Sequence, residues 1–244
     1  MSYVDLKHLL ADLALEAVQH PRPAGWAAIA AACADHLDAD QPSVAWKTVR
    51  QDANVLARPF GWTIDERALD HLTDKDLLRK NGDTISIPPR FLPHLQYFKR
   101  QTHRLLDVLA ELASGAAETE EDVRRGAALF NGRLFFECHE YLEGIWKATS
   151  GPEKAFFHGI VQVAAAFYHF EKENWHGAAA LMSKGTQKRS KYPDSFLGVN
   201  LHAFRRALKS WAGYFADPAG RRRPGDYPRL NLVQPQKRQE APRG

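Results

Sequence analysis

Three carboxylates and a histidine stand among large apolar residues in the stretch Phe135-Phe136-Glu137-Cys138-His139-Glu140-Tyr141-Leu142-Glu143-Gly144-Ile145-Trp146. Burying such polar groups is costly in free energy unless they find partners. The apolar residues recur at helical spacing, so the stretch predicts a helix. A complementary stretch, 158–169, follows directly. Together the two stretches predict one buried polar site between two helices.

The helical repeat predicts which of these side chains face inward. At about 100° per residue, His139, Glu143 and Trp146 share one face of the helix. Because this face holds large apolar side chains, we expect it to point into the core. Glu140 flanks the face, whereas Glu137 lies nearly opposite and is expected in solvent.

The second helix has a polar stripe of His158, Gln162 and His169 on a surface that is otherwise apolar. A helix that is apolar on almost all sides is buried, so its polar stripe is expected to be buried too. One interpretation is a satisfied hydrogen-bond network of His139, Glu143, Gln162 and His169 that fixes the helix register.

The other interpretation is a functional site. Two histidines and a carboxylate, His139, Glu143 and His169, are typical ligands of a divalent metal ion. His139 and Glu143 could instead act as a catalytic acid–base pair. The order His-Glu-x-x-Glu is not that of the zinc proteases, which excludes a protease. Cys138 is expected to be a core residue rather than a nucleophile.

A small-molecule pocket uses overlapping residues. Its expected lining is Glu140, Trp146, Gln162 and His169, and the alanines of the second helix leave space for a ligand. The pattern leaves open whether the chain is an enzyme.

Residues from about 122 to 216 resemble a known family. The resemblance is carried by Phe130-Asn131, Phe135-Phe136-Glu137, His139-Glu140, Leu142-Glu143, Trp146, Gly159, Gln162, Ala165-Ala166, His169, Asn174, Gly177-Ala178, Leu181, Tyr192-Pro193 and Gly198. It is a bacterial and archaeal family known as domain of unknown function 309. The resemblance implies a small all-helical bundle and brings no reaction with it.

The N-terminal part has a different pattern, of three helices followed by a hairpin. Asn81-Gly82 is a favoured hairpin turn, and Ser43 is expected to cap a third helix that reaches Leu56. This order loosely resembles a winged helix. The helix of residues 43–56 would read DNA, with the basic groups Lys47, Arg50, Arg79 and Lys80 on phosphates or bases.

Charge and composition limit the function classes. Residues 1–116 hold 13 basic and 15 acidic side chains, residues 117–216 hold 13 and 11, and residues 217–244 hold 7 and 3. The excess positive charge therefore lies mostly in the tail, and a strongly basic nucleic-acid-binding domain is not indicated. No apolar run predicts a membrane span or signal peptide. Two cysteines, Cys33 and Cys138, favour a reduced, cytoplasmic setting.

The sequence thus predicts a mainly α protein. We expect a winged-helix-like domain with one β-hairpin and a following long helix at 1–115, an all-α bundle at 116–216, and a basic disordered tail at 217–244. Three functions remain open: a bundle that binds a metal or small molecule, a DNA-binding regulator with a ligand-sensing bundle, and a structural or interaction module without chemistry.

Overall fold

The computed structural model describes residues 2–20, 24–114, 120–189 and 192–233. These residues contain ten α-helices and two small antiparallel sheets, which confirms the mainly α fold class. The helices are α1 (Ser2–Gln19), α2 (Gly25–His36), α3 (Trp46–Ala57), α4 (Glu66–Asp74), α5 (Leu95–Ala113), α6 (Glu121–Asn131), α7 (Phe135–Ala148), α8 (Gly151–Glu171), α9 (Trp175–Arg189) and α10 (Leu201–Ala216). The strands are β1 (Ser43–Ala45), β2 (Arg79–Asn81), β3 (Thr84–Ser86), β4 (Ser195–Phe196) and β5 (Val199–Asn200).

The chain divides into two compact units. The first comprises residues 1–114 and 132–137, and the second comprises residues 115–131 and 138–244. Whether these units are the independent domains expected from the sequence stays a prediction.

The first unit has the element order of a winged helix. Its three-stranded sheet has the order β1-β3-β2, with both pairs antiparallel. The hairpin prediction is confirmed, although the two-residue turn is Gly82-Asp83 between the paired Asn81 and Thr84. Gly82 has a φ of 57°, a left-handed conformation that favours glycine.

The start of the third helix was expected at Ser43, and this expectation is wrong. Residues 43–45 form β1 and pair with β3, and the helix begins at Trp46. The reason is tertiary: the backbone groups of this short segment bond to a strand that lies 40 residues away in sequence, which a local capping pattern does not report.

The second unit is built around buried aromatic side chains. Phe130, Phe167, Phe204, Trp211 and Phe215 are all buried, and their rings pack edge to face. Such packing adds to the free energy gained by burying the rings. This core fixes the positions of α6, α8 and α10.

Asparagine side chains cap two helices of this unit. The side-chain oxygen of Asn174 accepts a hydrogen bond from Gly177 N at 2.9 Å at the start of α9. The side-chain oxygen of Asn200 accepts a hydrogen bond from Ala203 N at the start of α10. Side-chain oxygens at these positions satisfy backbone donors that the helix itself leaves unpaired.

The segment after α10 was expected to be disordered, but residues 217–233 contact the core of the second unit. Tyr227 stacks on Trp211 with centroids 5.1 Å apart, and Trp211 Nε1 donates to the carbonyl of Asp226 at 2.9 Å. Leu230 is buried, and its N–H donates to Asn131 Oδ1 at 2.8 Å. The prediction of disorder is therefore wrong for residues 217–233, and residues 234–244 lie outside the described residues. Composition alone did not show that Tyr227 and Leu230 have core partners.

No helix among the described residues is both long enough and apolar enough to cross a membrane.

Candidate functional site

Helix α7 faces the core with a different side from the one predicted. Its buried side chains in the second unit are Cys138, Tyr141 and Leu142. The side chains of His139 and Glu143 are 28% and 29% exposed, so they lie at the edge of the core. The prediction that they point inward is therefore corrected. Apolar side chains occur on almost every side of this helix, and the sequence did not distinguish the buried side from its flank.

Cys138 is a core residue, as predicted. It is buried, and its Sγ donates to the carbonyl of Gly126 at 3.5 Å. This weak hydrogen bond joins α7 to α6.

The prediction that Glu137 is exposed is wrong. It belongs to the first unit, where only 1% of the residue is exposed. Its Oε1 accepts a hydrogen bond from Gln101 Nε2 at 3.3 Å. Arg104 in turn donates to Gln101 Oε1 at 3.2 Å and to the carbonyl of Arg133 at 3.1 Å. A buried carboxylate needs hydrogen-bond donors, and Gln101 of α5 supplies one to Oε1.

His139, Glu140 and Glu143 converge at the edge of the second unit, and we call them the His139 cluster. Glu140 Oε1 lies 3.1 Å from His139 Nδ1, and Glu143 Oε2 lies 3.8 Å from His139 Nε2. One ligand atom from each residue can be chosen so that all three lie within 4.8 Å of one another. The positions i and i+4 on one helical face explain why His139 and Glu143 meet.

Lys147 also lies beside the His139 cluster, and the sequence pattern did not predict it. Its ammonium lies 2.9 Å from Glu143 Oε1. This bond holds the pKa of the Glu143 carboxyl below its usual range, and the imidazoles of His139 and His158, when protonated, act in the same direction. Glu143 is thus an ionised carboxylate at neutral pH. The i, i+4 spacing from Glu143 to Lys147 was a signal that could have identified this lysine.

Helix α8 brings His158 and Gln162 to the same region. The ring of His158 stacks on Trp146, with centroids 4.2 Å apart and an angle of 27° between the planes. Burial lowers the pKa of His158, and the nearby charge of Lys188 lowers it further. Gln162 accepts a hydrogen bond from Lys188 Nζ at 2.9 Å.

His169 does not join the cluster, so the predicted ligand set of His139, Glu143 and His169 is corrected. His169 lies eleven residues after His158 on α8, and among the described residues it is not part of the group that His139 and Glu143 form with Glu140. Its Nδ1 lies 2.9 Å from Asn174 Nδ2 at the turn into α9. The helical repeat predicts the side of a helix on which a residue lies, but not which residues of a neighbouring helix it meets.

Lys188 could not be identified from the sequence. It comes from α9, and its position beside Gln162 depends on how α9 packs on α8. Gly185 allows that packing, because a Cβ there would lie 2.8 Å from Val163 Cγ2 and 3.0 Å from the carbonyl of Gly159.

The residues predicted to contact DNA lie in the first unit. Lys80 Nζ lies 2.5 Å from Glu66 Oε2, and Arg79 Nε lies 3.3 Å from Asp76 Oδ1. Lys47 and Arg50 are exposed on α3. Two of the four basic groups are therefore already paired with carboxylates.

Helix α4 stands between α3 and the hairpin of β2 and β3, the place that the recognition helix has in a winged helix, whereas the sequence pattern predicted that role for residues 43–56. This is the helix that enters the major groove in DNA-binding proteins of this kind. Its exposed residues Glu66, Asp70 and Asp74 follow at i, i+4 and i+8, so three carboxylates share one face. Unpaired carboxylates on such a face would repel phosphates, and DNA binding by this unit stays a prediction.

Comparison with known proteins finds similarity over the part of the chain that contains α7 and α8. Residues 123–181 match a family described as a domain of unknown function (DUF309), which confirms the resemblance found in the sequence. A segment of 52 residues is 42% identical to Uncharacterized protein YpuF of Bacillus subtilis (strain 168). That segment is 21% of this chain and covers 30% of the relative's length. The matched range contains the His139 cluster and His158, while Lys188 lies beyond it.

Proposed function

We propose that the second unit binds a divalent metal ion at the His139 cluster. The observation that supports this proposal is the convergence of one imidazole nitrogen and two carboxylate oxygens within 4.8 Å. Groups of opposite charge on one helix often form surface ion pairs without a ligand. Here, however, two carboxylates point at one imidazole, and a cation would offset their mutual repulsion.

The donor types limit the choice of metal. Imidazole nitrogen suits Zn²⁺ and other transition metals, and carboxylate oxygen also suits Mn²⁺ and Mg²⁺. Three protein ligands would leave at least one coordination position for water or substrate, which is typical of catalytic rather than structural sites. The partial exposure of His139 and Glu143 gives a metal ion access from solvent.

Lys147 would compete with the metal. Its ammonium already balances part of the charge of Glu143 at 2.9 Å, and a bound cation would have to displace it. Because Lys147 is a long and exposed side chain, it can move away from Glu143 at little cost.

A titration of the chelator-treated protein with Zn²⁺ and with Mn²⁺ by calorimetry tests the proposal. We expect one ion per chain, and a loss of affinity of about tenfold or more in His139→Ala and in Glu143→Gln. His202→Ala is the matched control, because His202 is an exposed histidine on α10 that lies 3.7 Å from a single carboxylate, Asp194. Circular dichroism of each variant checks that it folds.

Two outcomes would refute metal binding. One is the absence of any binding of either ion, and the other is equal affinity in the wild type and in both cluster variants. If His139→Ala only lowers the melting temperature, the cluster is a structural network. A catalytic role for His139 and Glu143 stays a prediction that depends on this result.

We also propose that the chain works in the cytoplasm. This proposal is supported by the two cysteines, Cys33 and Cys138, which are free and buried.

A further inference from the structure

We propose that His158 and Lys188 form an anion subsite beside the His139 cluster, and that this subsite binds the phosphate group of a small-molecule ligand. The inference rests on the proposed function, because the phosphate would contact both the bound metal and these two side chains. The proposed function assigns only a metal ion to this site, and the inference adds phosphate as the class of ligand.

The first step is the position of His158 relative to the cluster. Trp146 follows Glu143 by three residues on α7, so the two side chains are neighbours on that helix. The indole of Trp146 stacks on the imidazole of His158 at 4.2 Å. The stack therefore places His158 beside Trp146, one helical turn from Glu143 on α7.

The second step is the position of Lys188. Gln162 follows His158 by one turn of α8 and accepts a hydrogen bond from Lys188 Nζ at 2.9 Å. Helix α9 packs closely on α8 at Gly185, three residues before Lys188. Because of this close packing, the side chain of Lys188 can reach Gln162. Lys188 and His158 are near enough that the ammonium lowers the pKa of the imidazole.

The third step is the charge of Lys188. Within the described residues it bonds to the neutral amide of Gln162 and has no carboxylate within 4.0 Å. Lys75, Lys80 and Lys99 are each paired with a carboxylate. Burial and the charge of Lys184 lower the pKa of Lys188, in keeping with the absence of a neighbouring negative charge among the described residues. An anion at this position would supply that charge.

The fourth step is the choice of phosphate over carboxylate. Divalent ions held by few protein ligands are often completed by phosphate oxygens of the substrate. A phosphate has three terminal oxygens, so one can bind the metal while another accepts a hydrogen bond from a lysine. A carboxylate has two oxygens and one charge, and it would satisfy the metal and the two side chains less well.

The experiment is a calorimetric titration of the full chain, loaded with Mn²⁺, with inorganic phosphate. We expect phosphate to bind, and Lys188→Met to weaken it by about tenfold, the effect of one charge-assisted hydrogen bond. Lys184→Met is the matched control on the same helix, and we expect it to change phosphate affinity by less than about twofold. Acetate, the carboxylate arm, is expected to bind more weakly than phosphate.

Equal phosphate affinity in wild type and Lys188→Met would overturn the subsite. An equal loss of phosphate affinity in Lys184→Met and Lys188→Met would also overturn it, because only the general positive charge would then matter. Acetate binding as tight as phosphate binding would overturn the choice of phosphate. Titration with Mn²⁺ alone separates the two proposals: Lys188→Met should bind Mn²⁺ like the wild type. If the wild type binds no Mn²⁺, the metal proposal fails, and phosphate is titrated into metal-free protein. If phosphate binds to the metal-free protein and Lys188→Met weakens that binding, the subsite is supported. If phosphate does not bind to the metal-free protein, the subsite is overturned.

Discussion

The indole ring of Trp146 lies on the imidazole ring of His158, with centroids 4.2 Å apart and 27° between the planes. This stack joins α7 to α8 beside the His139 cluster. It also shields one face of the imidazole from water. The low pKa of His158 has burial as its main cause, so the stack and the acid–base behaviour of the site are linked.

Trp146→Ala should therefore raise the pKa of His158 toward its ordinary value of 6.5, because water would reach the ring. NMR titration of the imidazole protons measures this change. Trp175→Ala is the control, since Trp175 is a partly exposed tryptophan that packs on Phe170 and Tyr214. A pKa of His158 that is the same in all three proteins would contradict the role of the stack.

Lys147→Met should strengthen metal binding at the His139 cluster by about two- to fivefold, the range expected for removing a competing surface ion pair. The same change should raise the pKa of Glu143, because the bond from Lys147 is the main cause of its low value. Zinc titration by calorimetry measures the affinity. Lys154→Met removes a charge near Trp146 that forms no ion pair with Glu143 among the described residues, and it should leave the affinity unchanged. Equal effects of the two variants would show that only net charge matters.

Tyr141 should ionise only near pH 12. Burial raises its pKa to about 12, and the hydrogen bond of 2.6 Å to Asp122 acts in the same direction. Because the folded pKa lies above the unfolded value of 10, this group stabilises the fold below pH 10 and loses that effect as the pH rises toward 12. Ultraviolet absorbance titration measures the ionisation. Tyr141→Phe should lack the late transition and lose about 1 kcal/mol of unfolding free energy at neutral pH. A titration identical to that of the wild type would contradict the assignment.

Glu137→Ala should lower the unfolding free energy by about 3 kcal/mol, because it removes the acceptor of Gln101 inside the first unit. Glu137→Gln retains an oxygen acceptor and should cost less. Urea denaturation measures both. Glu140→Ala, an exposed residue one turn later, should change stability by less than about 0.5 kcal/mol. A loss in Glu140→Ala as large as that in Glu137→Ala would contradict the burial of Glu137.

Substitution by alanine at two glycines should change the free energy of unfolding in opposite directions. In Gly185→Ala the new Cβ would lie 2.8 Å from Val163 Cγ2 and 3.0 Å from the carbonyl of Gly159, so α9 must move and about 1–3 kcal/mol should be lost. In Gly144→Ala the Cβ meets no atom within 4 Å. That helical position should gain about 0.5–1 kcal/mol from the lower entropy of the unfolded chain. Thermal unfolding of the two variants checks the signs, and a gain in Gly185→Ala would contradict the close packing of α8 and α9.

Much of the fold was predictable because its signals are local. The hairpin turn at Gly82 and the caps at Asn174 and Asn200 depend on residues within a few positions of each other. Strand β1 was missed because its partner, β3, is remote in sequence. Residues 217–233 were misread for the same reason: Tyr227 and Leu230 pack on side chains of distant helices.

By itself, the sequence determined the helical class of the chain and the i, i+4 spacing that brings His139 and Glu143 together. That spacing is a property of any α-helix, so it needs no tertiary information. Only the tertiary structure decided which side of α7 is buried, that Glu137 lies in the first unit, and that His169 contacts Asn174 and is not part of the His139 cluster. It alone placed Lys188 beside Gln162, because the packing of one helix on another depends on side chains distant in sequence.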